Sequence, residues 1–256
     1  MLFRSMVLLL AAMSFKVSAA PFHFWTPDVY DGSPTVFTSY MSTIVKAAAF
    51  FAFIRVFENI FGLYQSEWQG LVTMITLATL FFGNITAVFQ VSVKRMLAYS
   101  SIAQAGFMLL SLFALNDHGK EGLVLYAAAY SIATIGLFAI MMKMEDYTIE
   151  GFNGLSSRQP LLAFAALIFL LSLTGIPLTA GFQAKFWVVA AATENGKSFW
   201  IVPVALLFAS VGAYYYFRVI QAMYFKPAAT EGSAPFDVSL SFRILLMLTK
   251  IGRAHV

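Results

Sequence analysis

Lys16, Lys46 and Lys185 stand in apolar company. Lys46 lies near the middle of TSYMSTIVKAAAFFAFIRVF, Lys185 lies in TAGFQAKFWVVAAATE, and Lys16 lies in MVLLLAAMSFKVSAAPFHFWTPDVY. A lysine at the centre of a bilayer costs roughly 2.5–3.5 kcal/mol, and ionisable groups kept at that depth commonly mark ion or proton paths. An amine withdrawn from water releases its proton more readily, and a nearby carboxylate restores the charged form. Three such amines in one membrane layer would repel one another, so a change at one would be felt at the next. Polar side chains could hydrate the path between them. Candidates are Tyr99, Ser100, Ser101 and Gln104 on one helix, and Tyr130, Ser131 and Thr134 on the next. Interhelical hydrogen bonding is the simpler reading for each serine and threonine taken singly. Lysines near helix ends can instead snorkel to the headgroups, and Lys94, Lys143 and Arg55 are read that way.

The elements that hold these lysines are membrane helices. Hydrophobic residues make up 60% of the 256 and charged residues 11%, with a mean hydropathy of +0.79; a soluble domain averages roughly 25% charged. Apolar runs cover 6–22, 35–61, 68–90, 94–115, 120–144, 160–193 and 199–225, and an eighth begins near Phe236. Most approach the ~20 residues that cross a bilayer. The chain therefore reads as an all-α polytopic membrane protein. The opening run alone could be a secretory signal peptide ending at Ala19-Ala20, but one signal peptide does not explain the other runs. With no cysteine there is no thiolate metal site or cysteine-held cluster. His23, His118 and His255 are scattered, which argues against haem or zinc, and the net charge of +4 does not suggest nucleic acid. His23, in a loop beside Trp25, reads as capping or loop packing, with proton transfer as the alternative.

Two of the runs contain helix breakers. GIPLTAGF places Gly175, Pro177 and Gly181 inside a run too long for one span, and Pro21 follows Lys16. Proline removes a backbone donor, and glycine permits a bend. Non-helical backbone at membrane depth requires surrounding protein or a water-filled cavity. Broken helices at corresponding places point to an inverted repeat. FAFIRVF (51–57) and YYYFRVI (214–220) close the spans after the two breaks as a faint echo. An unwound segment is expected over 175–182.

Lys94, Arg95, Lys143, Arg158 and Lys226 fall in loops on one side, whereas Lys120, Lys197 and Arg55 fall on the other. The excess of basic residues predicts that the first side, with the 23–34 loop, is cytoplasmic. Glu145, Asp146, Glu150, Glu231 and Asp237 share that side but contribute little to orientation. The last seven residues, KIGRAHV, interrupt an apolar run and look like translated sequencing adapter; LFRS at 2–5 resembles the opposite strand. Residues 1–5 and 250–256 are therefore set aside, the alternative being a genuine basic tail.

FKVSAAPFHFWTPDVYDGSPT (15–35), KRMLAYSSIAQAGFML (94–109) and GIPLTAGFQAKFWV (175–188) resemble the antiporter-like membrane subunits of respiratory complex I, NADH-quinone oxidoreductase. The WTPDVY form is closest to the subunit N branch; the L and M branches more often read W-L-P-D-A. The resemblance covers about residues 6–249. It implies an antiporter-like inverted-repeat bundle with two discontinuous helices, within a family of fourteen spans. On that basis 6–61 is the end of the first repeat (helices seven and eight), 68–225 the second repeat and 236–249 the start of the last helix. Lys16 matches the lysine of broken helix seven, Lys46 the helix-eight lysine between two half-channels, and Lys185 the helix-twelve lysine toward the exit. The glutamate that partners the helix-seven lysine belongs upstream. Many relatives carry histidine where this chain has Gln104, and an amide does not titrate, so a relay there would need water.

The function implied is proton translocation coupled to NADH-to-quinone electron transfer elsewhere in the complex. NADH, flavin, iron–sulfur clusters and quinone would be handled by other subunits, with no cofactor or metal here. The expected partners are other membrane subunits of complex I and the lipid bilayer, and the expected location is a bacterial inner membrane. The alternatives are a subunit of a cation/proton antiporter or membrane-bound hydrogenase of the same family, or a structural anchor. An anchor has no use for a lysine at mid-membrane.

Overall fold

A computed structural model describes residues 2–194 and 199–227. Lys197, Glu231, Asp237, the run from Phe236 and residues 250–256 lie outside the described residues. The helices are α1 (Leu2–Val17), α2 (Trp25–Gly32), α3 (Thr35–Tyr40), α4 (Lys46–Phe61), α5 (Gln65–Val88), α6 (Val93–Ala114), α7 (Asp117–Met141), α8 (Leu155–Arg158), α9 (Pro160–Thr174), α10 (Ala180–Thr193) and α11 (Ile201–Phe225). A π-helical turn, Met41–Val45, joins α3 to α4. Residues 2–5, set aside on sequence grounds, continue α1.

Residues 23–34 are not a loop, as the sequence suggested: most of them form α2. The first broken span is thus α1, an unwound stretch and α2. Both breaks begin with the same device. Gly175 is left-handed (φ 86°), its N–H meets Ser172 O at 3.1 Å, and Ile176 N–H reaches Leu171 O at 3.1 Å. Ser18 is left-handed too (φ 66°), with Ser18 N–H on Phe15 O at 3.1 Å and Ala19 N–H on Ser14 O at 2.8 Å. This pattern satisfies carbonyls that a helix end would otherwise leave bare. After Gly175, Pro177 bars continuation, and Thr179 restarts the helix by accepting the Phe182 N–H at 3.3 Å. The unwound stretch is 175–179, shorter than the expected 175–182, and Gly181 lies inside α10. Glycine there serves close approach instead of bending: a Cβ on Gly181 would sit 1.7 Å from Ser172 O.

The echo between the two broken spans is inexact. Lys16 precedes its break and Lys185 follows its own. Trp25 Nε1 donates back to Phe15 O at 3.1 Å, the place that Lys185 takes in the second break. Arg55 is exposed, whereas Arg218 donates to Val88 O at the end of α5.

α4 and α5 are joined by a 3-10 turn, Gly62–Tyr64, with little loss of helical character, yet the chain reverses there. Phe57 and Trp68 have ring centroids 5.2 Å apart, whereas eleven residues of straight helix would separate them by ~16 Å. α6 is the hub: 94% of its most apolar 18-residue window is buried, against 28% for α11. It lacks a polar face because every side meets protein. Gly83 and Gly106 let α5 and α6 approach closely, since a Cβ on either would fall 2.5 Å from Ala103 N or 2.9 Å from Leu80.

Side-chain ties sort the helix ends into two faces. Asn116 donates to Ala191 O and Glu194, and Lys120 pairs with Glu58, so the ends near 61, 115 and 194 lie together. Arg95 pairs with Asp28 at 2.9 Å, Thr35 meets Tyr147 and Gly154 N–H meets Ala222 O, so the ends near 33, 90, 145–158 and 225 lie together. Lys94 does not snorkel, as the sequence suggested. It is 5% exposed, and its amine donates to Asp31 O (2.8 Å) and Ser33 O (2.6 Å), closing the C-terminus of α2. Cysteines placed at Glu67 and Glu145, both exposed, should label from opposite sides of the membrane, with 145 reached from the cytoplasm. Labelling of both from one side would refute this topology.

Candidate functional site

α4 carries Lys46 directly after the π-helical turn, a distortion often found at functional positions. Its side chain is 2% exposed. The amine donates to Ser101 Oγ and to Ser101 O (3.0 Å), both from α6. No carboxylate among the described residues pairs with it.

Lys185, from the second turn of α10, reaches back across the break. Its amine donates to Leu173 O and Thr174 O, each at 2.8 Å, at the C-terminus of α9. A helix C-terminus favours a cation there. The Phe107 ring lies 5.0 Å from the same nitrogen.

Between the two lysines lies a polar cluster. Gln104 is 3% exposed. Its Nε2 donates to Leu173 O (3.0 Å) and to Tyr216 Oη (3.1 Å), and its Oε1 accepts from Tyr126. Because Leu173 O can only accept, the amide nitrogen must face it, which fixes the amide's orientation. Leu173 O therefore serves both Gln104 and Lys185. Tyr216 continues to Ser100, and Tyr215 donates to Asn84 on α5 at 3.3 Å. A cavity of about 10 Å³ is lined by Gln104, Tyr126, Tyr130, Ser172 and Lys185, among others. By that measure it holds roughly one water.

Of the residues the sequence singled out, the structure brings Ser100, Ser101, Gln104 and Tyr130 together around Lys46 and Lys185. Tyr99 and Ser131 are half-buried outside that cluster, and Thr134 is buried beside Tyr130 without a well-formed hydrogen bond. Lys16 is not brought together with the other two lysines, contrary to expectation. It is exposed on α1, because the helix turns its buried face, Met6, Leu10 and Ser14, toward the bundle. His23 is buried in the first break, stacked between Phe24 and Phe82 at 4.6 and 5.8 Å. Sequence reasoning missed Tyr126, Tyr216 and Ser172. Tyr126 carried a signal, since it lies one helical turn before Tyr130.

Residues 1–212 match the family described as NADH:quinone oxidoreductase/Mrp antiporter, transmembrane. NADH-quinone oxidoreductase subunit N 1 of Solibacter usitatus is 42% identical over 246 residues, 93% of this chain and 50% of the relative. Subunit N of Rhodobacter capsulatus is 42% identical over 257 residues, 97% of this chain and 53% of the relative. The chain spans about half the length of the curated relatives it matches. Among solved structures, a chain of respiratory complex I from Thermus thermophilus with bound aureothin superposes with a TM-score of 0.81 at 35% identity, over 93% of this chain and 53% of that one. A chain of the Mrp complex from Dietzia superposes equally well, TM-score 0.81, at 19% identity over 96% of this chain and 55% of that one, a likeness of fold alone.

Proposed function

Because the chain belongs to the NADH:quinone oxidoreductase/Mrp antiporter transmembrane family, we propose that it is part of subunit N of a bacterial respiratory NADH:quinone oxidoreductase and translocates protons through intramembrane lysines. The observation that carries this reading is the pair of lysine sites, Lys46 on Ser101 and Lys185 on Leu173 and Thr174, flanking one buried polar cluster. An amine is the one group there that can exchange a proton without leaving an anion in the bilayer. On this reading NADH, flavin, iron–sulfur clusters and quinone belong to other subunits of the complex. Residues 6–61 close a first inverted repeat, and 68–225 form a second.

Lys16 keeps a place in the reading as the lysine of the first broken helix. Its exposed position suits contact with a further part of the complex instead of with Lys46.

The test is Lys185→Met in the whole complex, reconstituted in proteoliposomes. NADH-driven proton uptake should fall about tenfold or more, a change of roughly 1.4 kcal/mol or more in the limiting step. Electron transfer from NADH to an artificial acceptor should persist, because it bypasses the membrane subunits. Parental pumping by an assembled variant would overturn the proposal. A sodium gradient that drives uptake without NADH would favour the cation/proton antiporter reading.

A further inference from the structure

The Tyr130 hydroxyl is fully buried and makes no well-formed hydrogen bond, and neither does the neighbouring Thr134 hydroxyl. The hydroxyls of Ser101, Thr134 and Ser42 lie close enough to Tyr130 to interact with it only weakly. A buried hydroxyl without a well-formed bond costs roughly 1–3 kcal/mol, and an ordered water is one partner that satisfies such a group. Tyr130 and Lys185 both line the cavity described above. Resting on the lysine reading above, we propose that Tyr130 is the proton-relaying residue between Lys46 and Lys185, acting through a single water held in this cavity.

The polarity of the bonds supports this route. Lys46 donates to Ser101 Oγ, which leaves the Ser101 proton free to turn toward Tyr130. Lys185 donates to two carbonyls. A neutral amine has two N–H bonds, so its lone pair is left for the cavity. The transfer balances along the chain. A Lys46 N–H bond breaks as an O–H bond forms on Ser101. The Ser101 proton passes to Tyr130, the Tyr130 proton to the water, and a water proton to the Lys185 lone pair. Each oxygen ends with as many bonds as it began with; Lys46 ends neutral and Lys185 charged. Gln104 takes no part. Its amide nitrogen is committed to Leu173 O and Tyr216, and an amide held that way cannot accept and release a proton in turn. It forms a wall that directs the proton through the water.

Tyr130→Phe removes the hydroxyl and little else, in the whole complex carrying the full-length subunit. The expected result is normal assembly and a fall of about tenfold or more in NADH-driven pumping. Tyr130 replaced by a fluorinated tyrosine should restore pumping with a displaced pH profile, because the phenol's acidity has changed; a packing role alone would leave the profile in place. Parental pumping by Tyr130→Phe, with Lys46→Met inactive alongside, would overturn the relay and leave the lysine reading intact. Parental pumping by both would sink the lysine reading itself. If Tyr130→Phe fails to assemble, a high-resolution map of the parent complex decides. A water bonded to both Tyr130 Oη and Lys185 Nζ supports the relay, and a dry cavity refutes it.

Discussion

Lys46→Met should assemble into the complex and lose NADH-driven proton pumping by about tenfold or more, roughly 1.4 kcal/mol or more in the limiting step. Methionine matches the length of the lysine stem and fills the same space between α4 and α6. The parent side chain is 2% exposed and its amine has only the Ser101 oxygens as partners. Losing that amine removes a membrane cost of roughly 2.5–3.5 kcal/mol, so folding should not suffer. Ser101 O remains within α6, where it also accepts from the helix backbone, and Ser101 Oγ can turn to a helical carbonyl. The substitution therefore separates charge from packing. Proton uptake into proteoliposomes, measured beside electron transfer to an artificial acceptor, reads the two separately. If the variant assembles and pumps as the parent does, Lys46 is merely a tolerated lysine and the proposed mechanism fails at its central link.

Much of this architecture was legible because a bilayer admits few solutions. Long apolar runs must be helices, so seven of the runs could be placed to within a few residues. The second break was written in Gly175 and Pro177, a helix stop followed by a residue that cannot continue it. The first was harder to delimit, because Ser18 takes the left-handed position usually given to glycine, and WTPDVYDG has a turn-like composition although it folds as α2. The π-helical turn before Lys46 left no trace in the letters MSTIV; α3 and the turn itself pack against α7, a contact between distant parts of the chain. Side-chain direction was the least legible feature. Lys16 and Lys46 have similar apolar surroundings, yet one is exposed and the other buried, because only the contacts of α1 decide which face it turns inward. Lys94 sits at a helix start, where snorkelling is the ordinary expectation. It is buried because α2 brings two carbonyls to it, and α2 was itself read as a loop. Gln104 was singled out as an amide, which does not titrate. Its fixed orientation follows only from Leu173 O, 69 residues further along the chain.

Gly181→Ala should damage the second break more than any comparable glycine change at an open position. A Cβ on Gly181 would lie 1.7 Å from Ser172 O and 2.6 Å from Ser172 C. The obstacle is backbone, so no rotamer change can relieve it, and α10 must move away from α9. That motion would also stretch the Gly181 N–H to Ser172 Oγ bond, now 3.2 Å. It would draw Lys185, one turn further on, off Leu173 O and Thr174 O, both now at 2.8 Å. Overpacking of a close contact typically costs about 1–3 kcal/mol, and here the loss of the two Lys185 hydrogen bonds would add to it. The expected result is a complex with lowered thermal stability and strongly reduced pumping. Gly70→Ala provides the comparison, because nothing lies within 4 Å of a Cβ there, and in a helix alanine is favoured over glycine by roughly 1 kcal/mol. It should assemble and pump as the parent does. If Gly181→Ala matched Gly70→Ala in both measurements, the close packing of α10 on α9 would not be what holds Lys185 at the break, and another element would have to be sought.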